Sequence, residues 1–247
     1  MKERFTTINC LAGLLVLFVW WDLDPAEAVE FPYPPGRQIH VETLDGAVFW
    51  GELTAVDAEI LSVRTPFGSL QVPMTQADRI NGDRFDPAVG LIHEQELIIQ
   101  ANGDGILEFS YLLPFQSHQS TAILVLPGRV LAVKDGDGRD LAFSSLSRGR
   151  LTHAEVVLPS NRLAAVRIRM LLPGAVECQG ETLRYLYRYV PAWPQNFCLR
   201  IRLPVGYDLG PLPIPFEKTG ESYYVCRLPL ENQQKIAWPI LAQKQVP

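Results

Sequence analysis

This chain has no excess of basic residues: 22 Lys and Arg stand against 27 Asp and Glu, a formal net charge of −5. Proteins that bind nucleic acid broadly need a positive surface to displace phosphate counterions, so that class is excluded. Histidine and cysteine are scarce, with four of each. His40, His93, His118 and His153 lie far apart, and no close Cys or His pair offers the spacing of a metal site. Also missing are a Gly-x-Ser-x-Gly elbow, a His-Glu-x-x-His pair and a glycine-rich phosphate loop before a helix. No cofactor is expected. Charge runs, heptads and low-complexity tracts do not occur. Twenty prolines scattered through apolar stretches leave little room for long helices.

One apolar run does occur, from Leu11 to Trp21, and it is shorter than the ~20 residues that span a bilayer. Lys2 and Arg4 precede it, and Ala26-Glu27-Ala28 follows at the place where a signal peptidase cuts. Residues 1–28 therefore read as a secretory signal peptide, with a mature chain from Val29 that is periplasmic or extracellular and has no membrane span. A retained anchor is the alternative, since Trp20 and Trp21 suit a membrane interface. Cys10 precedes the apolar run instead of following it, which argues against a lipoprotein. Without residues 1–28, 20 basic residues face 23 acidic ones, a charge of −3 over 219 residues. That length suffices for one large or two small packed units.

The pattern after residue 37 is that of short strands with turn punctuation. Expected strands are 39–44, 48–56, 60–65 and 69–72, with turns at Asp45-Gly46 and Pro66-Phe67-Gly68 and a closing element at 77–80. Asp-Gly between alternating apolar runs is a strong hairpin signal. Within this meander, Val41-Glu-Thr-Leu-Asp-Gly46, Gly51-Glu-Leu53 and Asp57 resemble the first motif of the Sm-like small barrels, a likeness that covers about a fifth of the chain. In that family a mid-strand glycine lets the second strand bend, and Gly51 stands there. The asparagine of RNA-binding members is replaced by Ile60 and Leu61, and Val72-Pro-Met-Thr lacks the second motif's glycine, so RNA binding is not implied. A generic SH3-like barrel fits the same pattern.

Residues 37–82 are thus expected to form a small barrel, 83–94 a linker and 95–242 an antiparallel β-sandwich, an all-β fold. Short strands at even spacing support the sandwich. Recurring Leu-Pro at Leu113, Leu126, Leu158, Leu172, Leu203 and Leu228 places prolines at strand ends. The layout loosely resembles β-sandwich regions of exported bacterial surface proteins.

Arginine carries the strongest suggestion of binding. Arg167 and Arg169, Arg184 and Arg188, and Arg200 and Arg202 alternate with apolar residues on three successive expected strands, so each pair occupies one sheet face. Ile168 and Met170, Tyr185, Tyr187 and Tyr189, and Phe197, Leu199, Ile201 and Leu203 would face the core. Were the three strands neighbours, six guanidiniums would share a face, which is unfavourable unless carboxylates or a bound anion intervene. The alternative is a solvated face interleaved with Glu177 and Glu181. Trp193 either presents a ring to a partner or caps the core. His93-Glu94 with Glu96 offers acid–base groups. Asp135-Gly-Asp137-Gly-Arg-Asp140 fails the calcium-loop template, because Arg139 and Asp140 stand where an oxygen donor and a glycine belong, and reads as turn chemistry. Of the mature cysteines Cys178, Cys198 and Cys226, two can pair on export. Cys198 with Cys226 is preferred, since both lie in expected strands of one unit.

The sequence reads as an exported, non-enzymatic binding or scaffold protein of the bacterial cell envelope. An envelope protein or an acidic glycan is the expected partner, and edge-strand pairing into oligomers is compatible with it. The alternative is a secreted glycan- or peptide-processing hydrolase whose site is assembled from loops.

Overall fold

The computed structural model describes residues 31–57, 59–113, 121–148, 151–158, 165–191, 194–231 and 233–245. The expected signal peptide and Trp193 lie outside the described residues. Among those residues there is no α-helix, so the all-β expectation holds.

The first unit is β1 (Gln38–Thr43), β2 (Val48–Val56), β3 (Ile60–Thr65), β4 (Gly68–Pro73), a 3₁₀ turn at Met74–Gln76 and β5 (Ala77–Ile80). Its strands lie in the order β5-β1-β2-β3-β4, all neighbours antiparallel. Alternating residues bury one face of each strand, and Val41, Leu53, Leu61, Val63 and Ile80 are fully enclosed. Gly51 has no room for a side chain: a Cβ there would lie 2.3 Å from the Arg64 carbonyl oxygen.

Residues 83–94, expected as a linker, are largely strand. They form β6 (Asp83–Asp86) and the first half of β7 (Gly90–Ile99). β6 joins β5 to the N-terminal end of β7, so one sheet runs from the first unit into the second. The composition suggested a linker because Gly82, Pro87 and Gly90 mark tight turns between these short strands.

The rest of the chain gives β8 (Gly105–Leu112), β9 (Thr121–Leu126), β10 (Arg129–Lys134), β11 (Phe143–Arg148), β12 (Leu151–Val157) and β13 (Ala165–Leu172). It continues with β14 (Val176–Gln179), β15 (Thr182–Tyr189), β16 (Gln195–Arg202), β17 (Tyr207–Leu209), β18 (Glu217–Lys218), β19 (Tyr223–Leu230) and β20 (Ile236–Lys244). The pairings β10-β13-β8-β7-β16-β19-β18 make one broad sheet, antiparallel except for the parallel β7–β16 pair. Two smaller sheets, β11-β12-β9 and β14-β15-β20-β17, cover one of its faces.

Between the broad sheet and the sheet β11-β12-β9 lies an aliphatic core that includes Leu124, Val133, Ile168 and Met170. A second, more aromatic core with Tyr187, Phe197, Leu199 and Ile201 lies under β15 and β20. The core-side residues expected on β13, β15 and β16 are therefore inside, with Tyr189 only partly buried.

The turn read at Asp135–Asp140 is present, closed by a Lys134–Asp140 bridge and the Leu141 N–H to the Val133 carbonyl, and the next strand starts at Phe143. One expectation is corrected. Cys198 and Cys226 are unbonded thiols, as is Cys178. Cys198 lies opposite Arg227 and Cys226 opposite Leu199, so the first points to the outer face and the second to the core. One residue of register separates them onto opposite faces.

Candidate functional site

The uncovered face of the broad sheet carries its charged residues. Arg167 and Arg169 leave β13 on this face while Val166, Ile168 and Met170 enter the core. Glu108 and Ser110 of β8, Glu94 and Glu96 of β7, and Arg200 and Arg202 of β16 share it. The register aligns them in rows across the strands: Arg169 beside Glu108, Glu108 beside Glu96, Glu96 beside Arg200. A second row runs from Ile106 to Ile98 to Arg202 to Tyr223.

Four of the six expected arginines thus share one face, and carboxylates intervene between them. Arg184 and Arg188 do not join them. They project from the outer side of β15, in the smaller sheet across the sandwich, where Arg184 faces Glu177 at 3.8 Å. Six arginines on one face would have required three adjacent strands, but β13 and β16 are separated by β8 and β7 and β15 belongs to another sheet.

The four clustered arginines differ in what they already hold. Arg200 grips the Glu94 carboxylate at 2.8 Å, and Arg167 lies 3.8 Å from Glu108. Among the described residues no carboxylate comes within ion-pair distance of Arg169 or Arg202. Arg202 instead places its guanidinium 5.2 Å above the centre of the Tyr223 ring, a cation–π arrangement.

Arg169 and Arg202 line the same groove of about 610 Å³, which has Ile98, Ile106, Leu203 and Val205 along it, Tyr223 on one side and Glu221 at its rim. Val205 is 82% exposed. Such a surface offers two forked donors over an aliphatic floor, suited to a ligand that combines carboxylates or phosphates with apolar groups.

A separate, smaller cavity of about 120 Å³ sits where the first unit meets the broad sheet. Glu42, Glu108 and Asp135 line it with Arg79, Lys134 and Arg167. Burial raises the Glu42 carboxyl above its ordinary range, against the opposing pull of Arg79. Asp135 accepts the Arg139 backbone N–H at 2.8 Å, with Gly138 at φ +80°. That is turn chemistry, as the sequence reading holds.

The acid–base candidates of β7 are divided between faces. Glu94 and Glu96 are on the outer face, whereas His93 is buried, its Nδ1 2.8 Å from Asp83 Oδ1 and its Nε2 3.0 Å from Gln95 Nε2. Tyr187 donates to Gln95 Oε1 at 2.7 Å, and the His93 ring stacks on Tyr189 at 5.3 Å. This interior network is closed at both imidazole nitrogens. Sequence reasoning missed it because Asp83 and Tyr187 are remote in the chain; the one available signal was polar His93 and Gln95 at core positions of an alternating strand.

Among the described residues no group of three or more His, Cys, Asp or Glu is placed to hold a metal ion. No protein-family model matches the chain, and no curated protein does. Solved structures with a similar arrangement include yeast LTA4 hydrolase, at 12% identity and a TM-score of 0.44 over 63% of this chain. Another is the M1 zinc metallopeptidase of Deinococcus radiodurans, at 16% identity and a TM-score of 0.37 over 66% of this chain. The chain spans 28% and 45% of the lengths of those two proteins.

Proposed function

We propose that the chain is an exported, non-catalytic binding module, and that its ligand is an acidic, partly apolar segment of a partner protein held in the groove beneath Arg169 and Arg202. The observation that carries this reading is that, among the described residues, these two guanidiniums have no carboxylate partner while their neighbours Arg167 and Arg200 do. The aliphatic floor and Tyr223 favour a peptide over a glycan, whose hydroxyls would leave that floor unfilled. Export is the reading of residues 1–28, and the first unit is read as an Sm-like or SH3-like barrel. Supporting the barrel are the close approach at Gly51 and the 3₁₀ turn before β5.

The hydrolase alternative is less favoured. Its best supply of carboxylates is the small cavity, but Glu42 and Glu108 there face Arg79 and Arg167, and about 120 Å³ is little space for a sugar or peptide unit.

The test is fluorescence titration with a labelled peptide of alternating Glu and Leu, against the same peptide carrying Gln for Glu. The Glu peptide binds and is released by salt. Arg169→Ala and Arg202→Ala each weaken it by about ten- to a hundredfold, the loss of one charge-assisted hydrogen bond. Arg184→Ala with Arg188→Ala, across the sandwich, leaves binding unchanged. Equal binding of both peptides, or equal loss in both pairs of variants, would overturn the reading.

A further inference from the structure

The three-stranded sheet β11-β12-β9 has an outer face that the groove does not use, and among the described residues β11 itself pairs only with β12, β10 holding the preceding Leu141 through its Val133 carbonyl. Its inner residues Leu124, Ala154 and Val156 are fully buried, while its outer face exposes Ile123 (65%), Leu146 (57%), Val125 (46%) and Leu151 (45%). β12 is central, and β11 and β9 are the edges. β10, at the rim of the broad sheet, approaches β11 and β12, which puts β11 at the periphery and β9 inboard.

The sequence of β11, Phe143-Ser-Ser-Leu-Ser-Arg148, has no proline and no charge before its last residue, and every residue after Phe143 is exposed. It pairs with β12 without a bulge. Natural edge strands are ordinarily guarded against further pairing by charge, proline, bulges or shortness. Other edges here are so guarded: β4 ends in a proline, and β18 is two charged residues long.

We propose that β11 pairs antiparallel with β11 of a second copy of this chain, about a two-fold axis through Leu146, joining the two three-stranded sheets into one of six strands. What identifies the partner as a second copy is charge complementarity in that register. Directly opposed residues of an antiparallel pair share a face, so Leu146 meets Leu146 of the other copy and Arg148 meets its Ser144. Ser144 lies opposite Glu155 on β12. Arg148 therefore stands two strands, about 10 Å between Cα atoms, from the other copy's Glu155, which two extended side chains can bridge. The two-fold axis makes the pair twice, as an isologous interface requires. Within one chain Arg148 lies opposite Leu151, four residues along β12 from Glu155, so the match exists only between copies. Val125, His153 and Leu146 form a row that would continue through Leu146 of the other copy, covering the exposed aliphatic face.

Sedimentation of the purified full chain over a concentration series tests this, with circular dichroism as the check on folding. A reversible dimer is expected. Leu146→Lys, which sets like charges together at the axis, gives a folded monomer. Arg148→Glu weakens the dimer by about tenfold, and adding Glu155→Arg restores it. A monomer at every concentration, a dimer that survives Leu146→Lys, or an Arg148→Glu defect that Glu155→Arg leaves unrelieved would each overturn the proposal. A monomer that gains a strand only from another protein would also do so.

Discussion

Gln95 is held between two groups of opposite demand: its amide nitrogen donates to His93 Nε2, and its carbonyl oxygen accepts from Tyr187. With His93 Nδ1 donating to Asp83, each of these contacts joins one donor to one acceptor in a region that is otherwise apolar. Tyr187→Phe keeps the ring in the core and removes only the donor to Gln95. It should cost about 1–3 kcal/mol, read from urea unfolding, because the amide oxygen is left buried without a partner. An unchanged midpoint would mean that water or Gln95 itself repairs the gap. At this scale the sequence was legible in residue type and period. Arg167, Arg169, Arg200 and Arg202 were placed on the outer side of their strands by alternation alone, and Tyr187 and Phe197 on the inner. The relation between Cys198 and Cys226 was not legible, because a shift of one residue in cross-strand register sends two side chains to opposite faces and no local pattern encodes it.

Strands β19 and β20 show how an element tolerates what its composition forbids. Pro229 lies inside β19 and Pro239 inside β20, although prolines were expected at strand ends. Pro229 is opposite Asn196 and Pro239 opposite Leu186, each on the paired side of its strand. On the other side, β18 pairs only with Tyr224 and Val225, and β17 only from Ala242 onward, so each proline sits where one flank of the strand has no ladder to interrupt. The hairpins of the first unit were readable because their turn residues are local. β6 was missed, since a strand of four residues carries too little alternation to register. Gly51 belongs to this scale as well. Gly51→Ala would drive a methyl group against the Arg64 carbonyl of the neighbouring strand, and thermal melting should show a loss of about 1–3 kcal/mol or more as β2 and β3 separate. A melting temperature equal to that of the parent would show that β2 can retreat without cost.

For the molecule as a whole, β7 is the organising strand. One of its sides pairs with β6 and β8 and the other with β16, so the first unit and the sandwich share it. Buried tyrosines gather around it. Burial raises the Tyr33, Tyr187 and Tyr189 hydroxyls well above the ordinary tyrosine value. A folded-state pKa above the unfolded one means that the unfolded chain releases its protons first. The stability these groups contribute is therefore full below about pH 10 and is lost as pH rises beyond it. Alkaline titration followed by tyrosine absorbance should show these phenols ionising together with unfolding, and independent ionisation in a folded protein would contradict that. The division of the arginines between two sides of the sandwich is also a property of the whole, set by the parallel β7–β16 pairing, which leaves two strands between β16 and β13, and by the placing of β15 in the other sheet.

Photocrosslinking in the producing cell tests the proposal that the groove under Arg169 and Arg202 receives a partner. A photoreactive residue at Tyr223 should give one discrete adduct, lost when Arg169→Glu and Arg202→Glu are combined, while the same residue at the exposed Phe67 gives a different pattern. No adduct at position 223, or an adduct indifferent to the two arginines, would contradict the account.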